Sequence, residues 1–452
     1  MNISKTRAIL IFILSLLLSE GAISQNEQKD DAEKIDTFYS TSGNIHVLRL
    51  KKSYSLGDGF SLRSSSGSFT ISQTLQTLYM MSSPNKDLSS MSSTFSINRA
   101  RLNLNANIFD KKIEMTMRLN LPANYQSATT GDRTFNNVLQ EAYVEYNLSK
   151  NHSFNIGLRA DYIDSRETRI EGENLGFIDR SAVSGAFDAI FDYGIRYKGN
   201  YKLGGKSILK PYVSITTGDS RSGLQKNYGG LKYGIRLDYL PFDDFSNGGE
   251  FYMEDLAREK KPKLVVGLVY SINNGQSSAF GTNGGRYLYG DINQKVLLPN
   301  YSKFGFDYLF KYSGFYSMGS FVYTSATVPP GIAGSFKLTG QFTPYAVNTP
   351  YETIVNTVLS QLDLGTGFNF QAGYVFHSDW AFGIRYSYLK DNTESLNFAD
   401  QNRHYSAVAT KYLSGHNLKI QTQFGYDELK ENLKVGNQVG NLYGEVMITV
   451  QL

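Results

Sequence analysis

The 452-residue chain contains no cysteine, a single tryptophan and only 10 prolines. The absence of cysteine excludes disulfide frameworks, thiolate metal sites and cysteine nucleophiles. Proline makes up about 2% of the chain against a usual ~5%, which suits long uninterrupted strands. Charged residues are also fewer than usual, at 19%. The abundant residues are instead Tyr (32), Phe (28) and Gly (42), so the chain is aromatic without being rich in tryptophan.

The first 24 residues are typical of a secretory signal peptide. Lys5 and Arg7 precede an apolar run from Ala8 to Leu18, which matches the charged and hydrophobic regions of such signals. A transmembrane helix is the alternative, but it needs roughly 20 apolar residues. No later stretch approaches that length, so we expect the mature protein to be either exported and soluble or a β-barrel. A hydropathy plot does not detect barrel strands, because their apolar and polar residues alternate and average out.

Apolar and polar residues alternate through most of the chain, and this period of two predicts β-strands. From Leu231 to Tyr239, for example, every second residue is apolar or aromatic, and Lys232, Arg236 and Asp238 lie between them. A soluble β-sandwich alternates as well, but its strands are about 5–6 residues long. Many segments here approach the ~9–11 residues that a tilted strand needs to cross a bilayer.

Sixteen such segments are found, and the lengths of the links between them also favour a barrel. Links expected on the periplasmic side are short and those on the opposite side are long, as in outer-membrane barrels. One link, 241–262, breaks the rule, because it should be periplasmic and is long. We therefore predict an all-β fold, a 16-stranded antiparallel transmembrane β-barrel with short periplasmic turns and long extracellular loops. The predicted parts are a signal peptide (1–24), a periplasmic arm (25–55) and the barrel (56–452).

Tyrosine and phenylalanine cluster near the ends of the predicted strands. Amphipathic rings suit the level of the lipid headgroups, so this pattern predicts two aromatic girdles. Scattered core tyrosines are the alternative interpretation.

The polar face of the predicted strands would line the interior, and basic residues outnumber acidic ones there. The inward bases are Arg99, Arg101, Arg118, Arg159, Arg196, Lys198, Lys210, Lys232, Arg236, Lys303, Lys311, Arg385 and Lys419. The inward acids are Glu114, Glu141, Glu145, Asp161, Asp192, Asp238, Asp307 and Glu445. Arginine never deprotonates and offers a fork of donors to oxyanions, so such a wall favours anions.

Four of these arginines are the best candidates for an anion track, because their strands are neighbours in the predicted barrel. They are Arg99, Arg101, Arg118 and Arg159. The predicted pore-lining set extends to Arg196, Arg236 and Arg385. The alternative is a wall of mixed charge, in which each arginine pairs with a carboxylate and stiffens the barrel.

Several stretches, taken in order, resemble the phosphate-selective porin O and P family. They are Gly57-Asp-Gly-Phe-Ser-Leu, Gly67-Ser-Phe-Thr-Ile, Phe95-Ser-Ile-Asn-Arg-Ala-Arg-Leu, Leu139-Gln-Glu-Ala-Tyr-Val-Glu-Tyr, Phe154-Asn-Ile-Gly-Leu-Arg, Phe177-Ile-Asp-Arg-Ser and Asp255-Leu-Ala-Arg-Glu-Lys-Lys-Pro-Lys-Leu. The resemblance covers roughly residues 55–452.

This resemblance implies an outer-membrane channel of sixteen strands, usually trimeric, that passes anions through a basic constriction. It also implies that the third external loop, residues 162–187, folds inward as the constriction. That loop carries Arg166, Arg169 and Arg180 beside several glutamates. The partners implied are outer-membrane lipid, small anions or other hydrophilic solutes, and two further copies of the chain.

Catalytic and cofactor motifs are not apparent. The five histidines have no metal-ligand spacing, and no pairing of histidine with serine or aspartate suggests a hydrolase. The Gly204-Gly-Lys-Ser stretch lacks the earlier glycine of a phosphate loop, because Asn200 stands at that position. We expect no enzyme activity, no cofactor, no metal and no nucleic-acid partner.

Residues 351–362 form an exception to the strand pattern, with apolar residues at helical spacing. A short helix packed at the barrel mouth is the simpler interpretation, and a second constriction element or a partner contact is the other.

The hypothesis from sequence is passive diffusion of small hydrophilic solutes with an anion preference, in the outer membrane of a Gram-negative bacterium. A general porin is favoured over a phosphate specialist, because acids on the inward face offset part of the positive field. The alternative is a plugged barrel that serves as a structural or secretion-associated component. A hydrolase is the third possibility.

Overall fold

The computed structural model describes residues 35–39, 45–50, 55–84, 90–121, 138–220, 227–281, 284–337, 339–393, 400–435 and 439–452. The predicted signal peptide lies outside the described residues, as does the first part of the predicted arm. Two antiparallel strands, Ile35–Tyr39 and Ile45–Leu50, lie within that arm. A third short strand, Phe60–Ser64, connects them to the main sheet.

Sixteen antiparallel strands form a closed barrel, as the alternation predicted. They are β1 (Gly67–Ser83), β2 (Ser92–Ile108), β3 (Ile113–Asn120), β4 (Leu139–Ser149), β5 (His152–Ala160), β6 (Phe191–Gly199), β7 (Ser207–Thr216), β8 (Lys232–Leu240), β9 (Lys263–Asn274), β10 (Asn300–Tyr312), β11 (Phe315–Thr327), β12 (Gly365–Val375), β13 (Trp380–Asp391), β14 (Gln401–Ser414), β15 (Leu418–Leu429) and β16 (Gly440–Gln451). Strand β16 pairs with β1 from Leu442↔Ser83 to Gln451↔Thr74, so this sheet has no free edge there.

The alternation in sequence becomes two chemically different faces of the barrel. Strand β8 shows this most simply: Lys232, Arg236 and Asp238 point inward and are buried, whereas Tyr233 and Ile235 on the outer face are 44% and 45% exposed. Exposed apolar side chains follow the outer face around the other strands as well. An apolar exterior around a polar interior is the arrangement of a barrel that spans a membrane.

Tight turns join the strands at one end of the barrel. The turn between β10 and β11 has only two residues, Ser313 and Gly314, both with positive φ (52° and 93°). Residues 109–111 between β2 and β3 also have positive φ. We assign this end to the periplasm, because short turns lie there in outer-membrane barrels. The exception predicted from the sequence, residues 241–262, is observed between β8 and β9.

In the part of the chain that the structure describes, three helices lie in the external loops: α1 (Arg166–Arg169), α2 (Ala182–Phe187) and α3 (Tyr351–Leu359). The remaining short elements are the 3₁₀ turns Gly172–Asn174, Ser246–Phe251 and Glu431–Leu433, the strand Tyr201–Gly204, and a small sheet of Leu288–Gly290, Gly334–Phe336 and Phe342–Pro344. Among the described residues, no helix is long and apolar enough to cross a membrane.

Helix α3 is the helix predicted over 351–362, and it packs above the barrel. Its buried residues Ile354 and Val358 join a cluster with Tyr289, Leu298 and Ile332 from the neighbouring external loops. The helix therefore forms part of a small folded cap, in agreement with the simpler of its two interpretations.

Candidate functional site

The external connection between β5 and β6, residues 161–190, lies inside the barrel and is called loop three below. Ser165 and Ser181 cap α1 and α2, since each side-chain oxygen accepts from a backbone N–H of the following helix. Between the helices, Ile170, Leu175 and Phe177 are fully buried. A surface loop would expose such residues, so loop three is an internal structural element whose apolar residues require a partner.

Buried ion pairs hold the start of loop three against the wall formed by β8 and β10. The Arg166 guanidinium lies 2.9 Å from Asp238 and 3.1 Å from Asp307. Arg236 reaches the same two carboxylates at 2.8 and 2.6 Å, and Arg169 pairs with Asp238 as well. All five side chains are at most 3% exposed. The two carboxylates are thus matched by three guanidiniums, which offsets the cost of burying the charges.

A second buried cluster joins both ends of the loop to the wall, because Asp164 near its start also accepts from the backbone N–H of Ala189 near its end. The Asp164 carboxylate accepts from the ammonium groups of Lys232 (2.8 Å) and Lys303 (2.9 Å). Burial would raise the pKa of Asp164, but these two cations outweigh it and hold the pKa below its usual value. Asp188 lies farther from Lys303, at 3.7 Å. Burial raises the pKa of Asp188 to about 6, opposed by Lys303 and supported by the negative charge of Asp164.

The periplasmic connection 241–262 also folds into the barrel, and we call it the periplasmic segment. The Lys311 ammonium donates to the carbonyl oxygens of Gly249 and Glu254, both at 2.8 Å. Lys210 binds the Glu250 carboxylate at 2.9 Å. The backbone N–H of Gly314 donates to Asp255 at 2.7 Å. These bonds attach the one long periplasmic link to the inner wall of the barrel.

Loop three and the periplasmic segment share one apolar core inside the barrel. Met253 is fully buried with Leu175 and Phe177, and Phe245 and Tyr316 join the same cluster. The interior of a porin-like barrel is expected to be polar and wet. Here one side of the interior is packed like the core of a globular domain.

The opposite face of loop three retains water-accessible carboxylates. The side chains of Asp179 and Glu171 are 53% and 41% exposed. They lie against the wall of β2 and β3, where Arg99 binds Asp179 at 2.9 Å and Arg118 binds Glu171 at 2.7 Å. The water-accessible part of the interior therefore lies between these two carboxylates of loop three and the inner wall that includes β2 and β3.

The four arginines predicted as an anion track lie on this wall, and each is ion-paired. Arg101 binds Glu173 at 2.7 Å, and Arg118 also binds Glu141 at 3.0 Å. Arg159 pairs with Glu145 and stacks on Tyr143, with its guanidinium carbon 4.1 Å from the ring centroid. These four side chains are only 6–14% exposed. This arrangement agrees with the mixed-charge alternative rather than with a row of free cations.

The remaining predicted arginines occupy three different environments. Arg196 is 1% exposed and donates to the carbonyl oxygens of Gly157, Arg159 and Asp192. Arg236 is 0% exposed in the ion-pair cluster described above. Arg385 donates to the carbonyl of Asp179 at 2.7 Å. A pore-lining role for Arg196 and Arg236 does not fit their burial, because water does not reach either guanidinium.

The loop arginines are also held rather than free. Arg166 and Arg169 belong to the buried cluster on β8 and β10. Arg180 donates to the carbonyl oxygens of Ile170 (2.6 Å) and Glu167 (3.2 Å), which fastens the two halves of loop three together. Loop three thus lies in the lumen as the resemblance implied, while its arginines mainly hold its shape.

Reasoning from sequence missed the role of Asp179 and the inward course of the periplasmic segment. The unusual length of the periplasmic link 241–262 was the feature of the sequence that could have indicated its inward course. Within the described residues, no three histidines or acids converge as metal ligands.

Comparison with solved structures supports the same class of fold. An outer-membrane protein of Vibrio cholerae, the loop L8 deletion mutant of OmpT, superposes with a TM-score of 0.50 at 8% identity, covering 86% of this chain and 100% of that one. OmpF of Salmonella typhi in complex with daunomycin gives 0.49 at 12% identity, covering 86% and 98%. An anion-selective porin from Comamonas acidovorans gives 0.48 at 9%, covering 85% and 100%.

No protein-family model and no curated protein sequence matches the chain. The fold likeness rests on the first of these structures, since the other two TM-scores lie below 0.5, and at 8% identity it shows the fold alone. The closed sheet and its apolar exterior define the protein as a transmembrane β-barrel of sixteen strands, the architecture of outer-membrane porins. The resemblance to the phosphate-selective porin O and P family stays a prediction from sequence.

Proposed function

We propose that the protein is a porin through which small hydrophilic solutes diffuse passively. It lies in the outer membrane of a Gram-negative bacterium. The observation that carries the proposal is the closed barrel with an apolar outer face and charged inner face. A closed barrel satisfies every strand's backbone groups within the sheet, so it is stable in lipid.

The proposed path runs along the accessible face of loop three, past Glu171 and Asp179. Support comes from the contrast between the two sides of the interior. On the β8 and β10 side, charged groups are at most a few per cent exposed. On the β2 side, the Glu171 and Asp179 carboxylates of loop three are about half exposed, so water reaches this face of the loop.

The anion preference is the finer part of the proposal, and we expect it to be slight. Around the path, the guanidiniums of Arg99, Arg101, Arg118, Arg159, Arg180 and Arg385 face the carboxylates of Glu141, Glu145, Glu171, Glu173, Asp179 and Glu445. Carboxylates beside most of these guanidiniums reduce the net positive field. Salt screens what remains over about 8 Å at physiological ionic strength.

A phosphate-specific channel is less well supported than general diffusion. Phosphate recognition by arginine uses two parallel donors of a free guanidinium. Here the guanidinium of Arg99 already binds Asp179, and that of Arg118 already binds Glu171 and Glu141. We therefore propose small hydrophilic solutes without strong phosphate selectivity. The homotrimer implied by the resemblance is part of the proposal, and native mass spectrometry of the detergent-extracted protein tests it.

A planar bilayer measurement tests the proposed function. The purified barrel should show ion conductance, with a reversal potential in a KCl gradient that is close to zero and slightly on the anion side. Replacing Arg99, Arg101, Arg118 and Arg159 by Gln should move it toward cations. The matched control is Arg403→Gln at the outer mouth, where the side chain is 45% exposed. Absence of conductance, or strong cation selectivity in the unaltered protein, contradicts the proposal.

A plugged barrel is the second candidate, and the core around Met253 favours it. Loop three and the periplasmic segment enter from opposite membrane faces and join in that core. If they occlude the lumen completely, the unaltered protein should not conduct, and replacing residues 243–261 by a short Gly-Ser turn should open it. If the first proposal holds, the unaltered protein conducts and the shortened variant conducts more.

A further inference from the structure

An aromatic row lies on the outer surface at the periplasmic rim, where β12 turns into β13. It consists of Tyr374, Phe376, Phe382 and Trp380. Neighbouring rings are in contact: Tyr374 and Phe376 at 4.9 Å between centroids, Phe376 and Phe382 at 5.9 Å, and Phe382 and Trp380 at 6.2 Å. The first three are 37–51% exposed, so they face the membrane rather than the lumen.

A groove runs along this row. It has a volume of about 280 Å³ and is lined by Phe376, Ser378, Trp380 and Phe382. Its apolar walls suit a hydrocarbon chain, because the outer surface at this height meets the boundary between lipid tails and headgroups. Apolar contact alone would not distinguish one lipid from another.

Each end of the aromatic row carries a cation. The Lys411 ammonium lies 5.6 Å from the Trp380 ring centroid and donates to the Ser378 carbonyl at 2.7 Å. At the other end, Arg258 lies 5.6 Å from the Tyr374 ring and donates to its hydroxyl at 3.1 Å. One hydrogen bond leaves two of the three lysine donors for another acceptor.

The charge of the adjoining chain has the same sign. Residues 258–263 read Arg-Glu-Lys-Lys-Pro-Lys, and Lys260 and Lys261 are exposed at this rim. Glu259 does not offset them, because it is buried and accepts from the backbone and hydroxyl of Ser246. Asp379 in the adjacent turn is the acidic group nearest in sequence to the groove. Asp379 is exposed between the lining residues Ser378 and Trp380, so with Lys411 and Arg258 against the aromatic row the groove has an excess of one positive charge.

We propose that this groove binds an anionic phospholipid of the periplasmic leaflet. The headgroup phosphate accepts from Lys411, and one acyl chain lies along Phe376, Phe382 and Trp380. Basic residues at a membrane surface favour anionic lipid by about 1 kcal/mol each, which is about fivefold in binding. The inference concerns the outer surface only, so it does not depend on whether the barrel conducts.

The single tryptophan of the chain lies in this groove and makes the test direct. The purified barrel is reconstituted in phosphatidylcholine vesicles that contain a minor fraction of phosphatidylglycerol brominated on its acyl chains. Bromine quenches tryptophan fluorescence on contact. Brominated phosphatidylcholine at the same fraction measures random contact with lipid. We expect phosphatidylglycerol to bind about fivefold more strongly than phosphatidylcholine at Trp380.

Lys411→Gln should remove this difference between the two lipids. Lys202→Gln is the matched control, because Lys202 is an exposed lysine elsewhere on the periplasmic rim, in the short strand Tyr201–Gly204 between β6 and β7. Heat-modifiable migration on a gel verifies that each variant is folded. Equal quenching by both lipids in the unaltered protein overturns the proposal. An equal effect of both lysine substitutions also overturns it, since it would reflect general surface charge.

Discussion

The backbone N–H of Met253 donates to the carbonyl oxygen of Asn174 at 3.3 Å. Met253 belongs to the periplasmic segment and Asn174 to loop three, so chain that enters from opposite sides of the membrane meets inside the barrel. The Met253 sulfur also lies 3.3 Å from the backbone nitrogen of Gly176. The interior is therefore a two-part packed body whose apolar core contacts strands β7 to β14 and whose loop three also pairs with arginines of β2 and β3.

Gly176→Ala tests the contact between the two parts. An added Cβ would lie 2.9 Å from the Met253 sulfur and 3.0 Å from the Glu254 carboxyl carbon. Overpacking of this kind costs about 1–3 kcal/mol, so the urea midpoint of unfolding in detergent should fall. The control is Gly185→Ala in α2, where the added Cβ meets nothing within 4 Å. That variant should be neutral or slightly more stable, and an equal loss in both would argue against a tight contact at Gly176.

Arg236→Gln tests whether the buried ion pairs hold loop three. Its removal leaves Asp238 and Asp307 with one cation fewer, in a cluster at most 3% exposed. Arg166 and Arg169 still balance the two carboxylates, so the free energy of unfolding should fall by about 1.5–3 kcal/mol, the range for lost hydrogen bonds to charged groups. Arg403→Gln removes a half-exposed arginine paired with Glu428 at 3.4 Å. We expect its free energy of unfolding in urea to fall by only about 0–1 kcal/mol. Similar losses in the two variants would mean that the cluster contributes no more than a surface pair.

The acids of loop three should set the selectivity as much as the arginines do. Glu171→Gln together with Asp179→Asn removes two accessible negative charges and leaves Arg99 and Arg118 less neutralised. The reversal potential should move toward anions, and more so at low salt, where screening is weaker. Glu352→Gln, on the exposed start of α3, is the control and should have no effect. An unchanged potential in the double variant would place the path elsewhere.

Asp188 should give the stability a pH dependence of predictable sign. Burial raises its pKa from 3.8 to about 6 in the folded protein. Between these values the carboxyl ionises in the unfolded chain but not in the folded one, so the free energy of unfolding should fall as the pH rises from about 4 to 6. The difference between the unaltered protein and Asp188→Asn, followed by urea unfolding across this range, isolates the contribution. A difference that does not vary with pH would contradict the raised pKa.

Much of the barrel was predictable because its signals are local. The faces of β8 follow from alternation between Lys232 and Leu240, and a two-residue link such as Ser313-Gly314 admits only a tight turn. Helix α3 was predictable for the same reason, since its period differs from that of a strand.

The candidate site was predictable only in part. Arg99, Arg101 and Arg118 lie on the paired strands β2 and β3, whereas β4 separates them from Arg159 on β5, because strand order follows chain order in a meandering barrel. Their partners were not fully predicted, because Asp179 lies on a loop whose position depends on its packing. Nor did the sequence indicate that Arg196 and Arg236 would be buried.

The sequence by itself determined a closed sheet of sixteen strands, its inner and outer faces, and the end at which the turns are short. Those properties depend on a side-chain period of two and on link length, which neighbouring residues specify. Only the tertiary structure decided how the interior is filled. Arg236 meets Asp307 across 71 positions of chain, and Met253 meets Asn174 only after both segments have folded inward. Such contacts depend on which charged and apolar side chains come together in the folded interior, and no local sequence pattern specifies them.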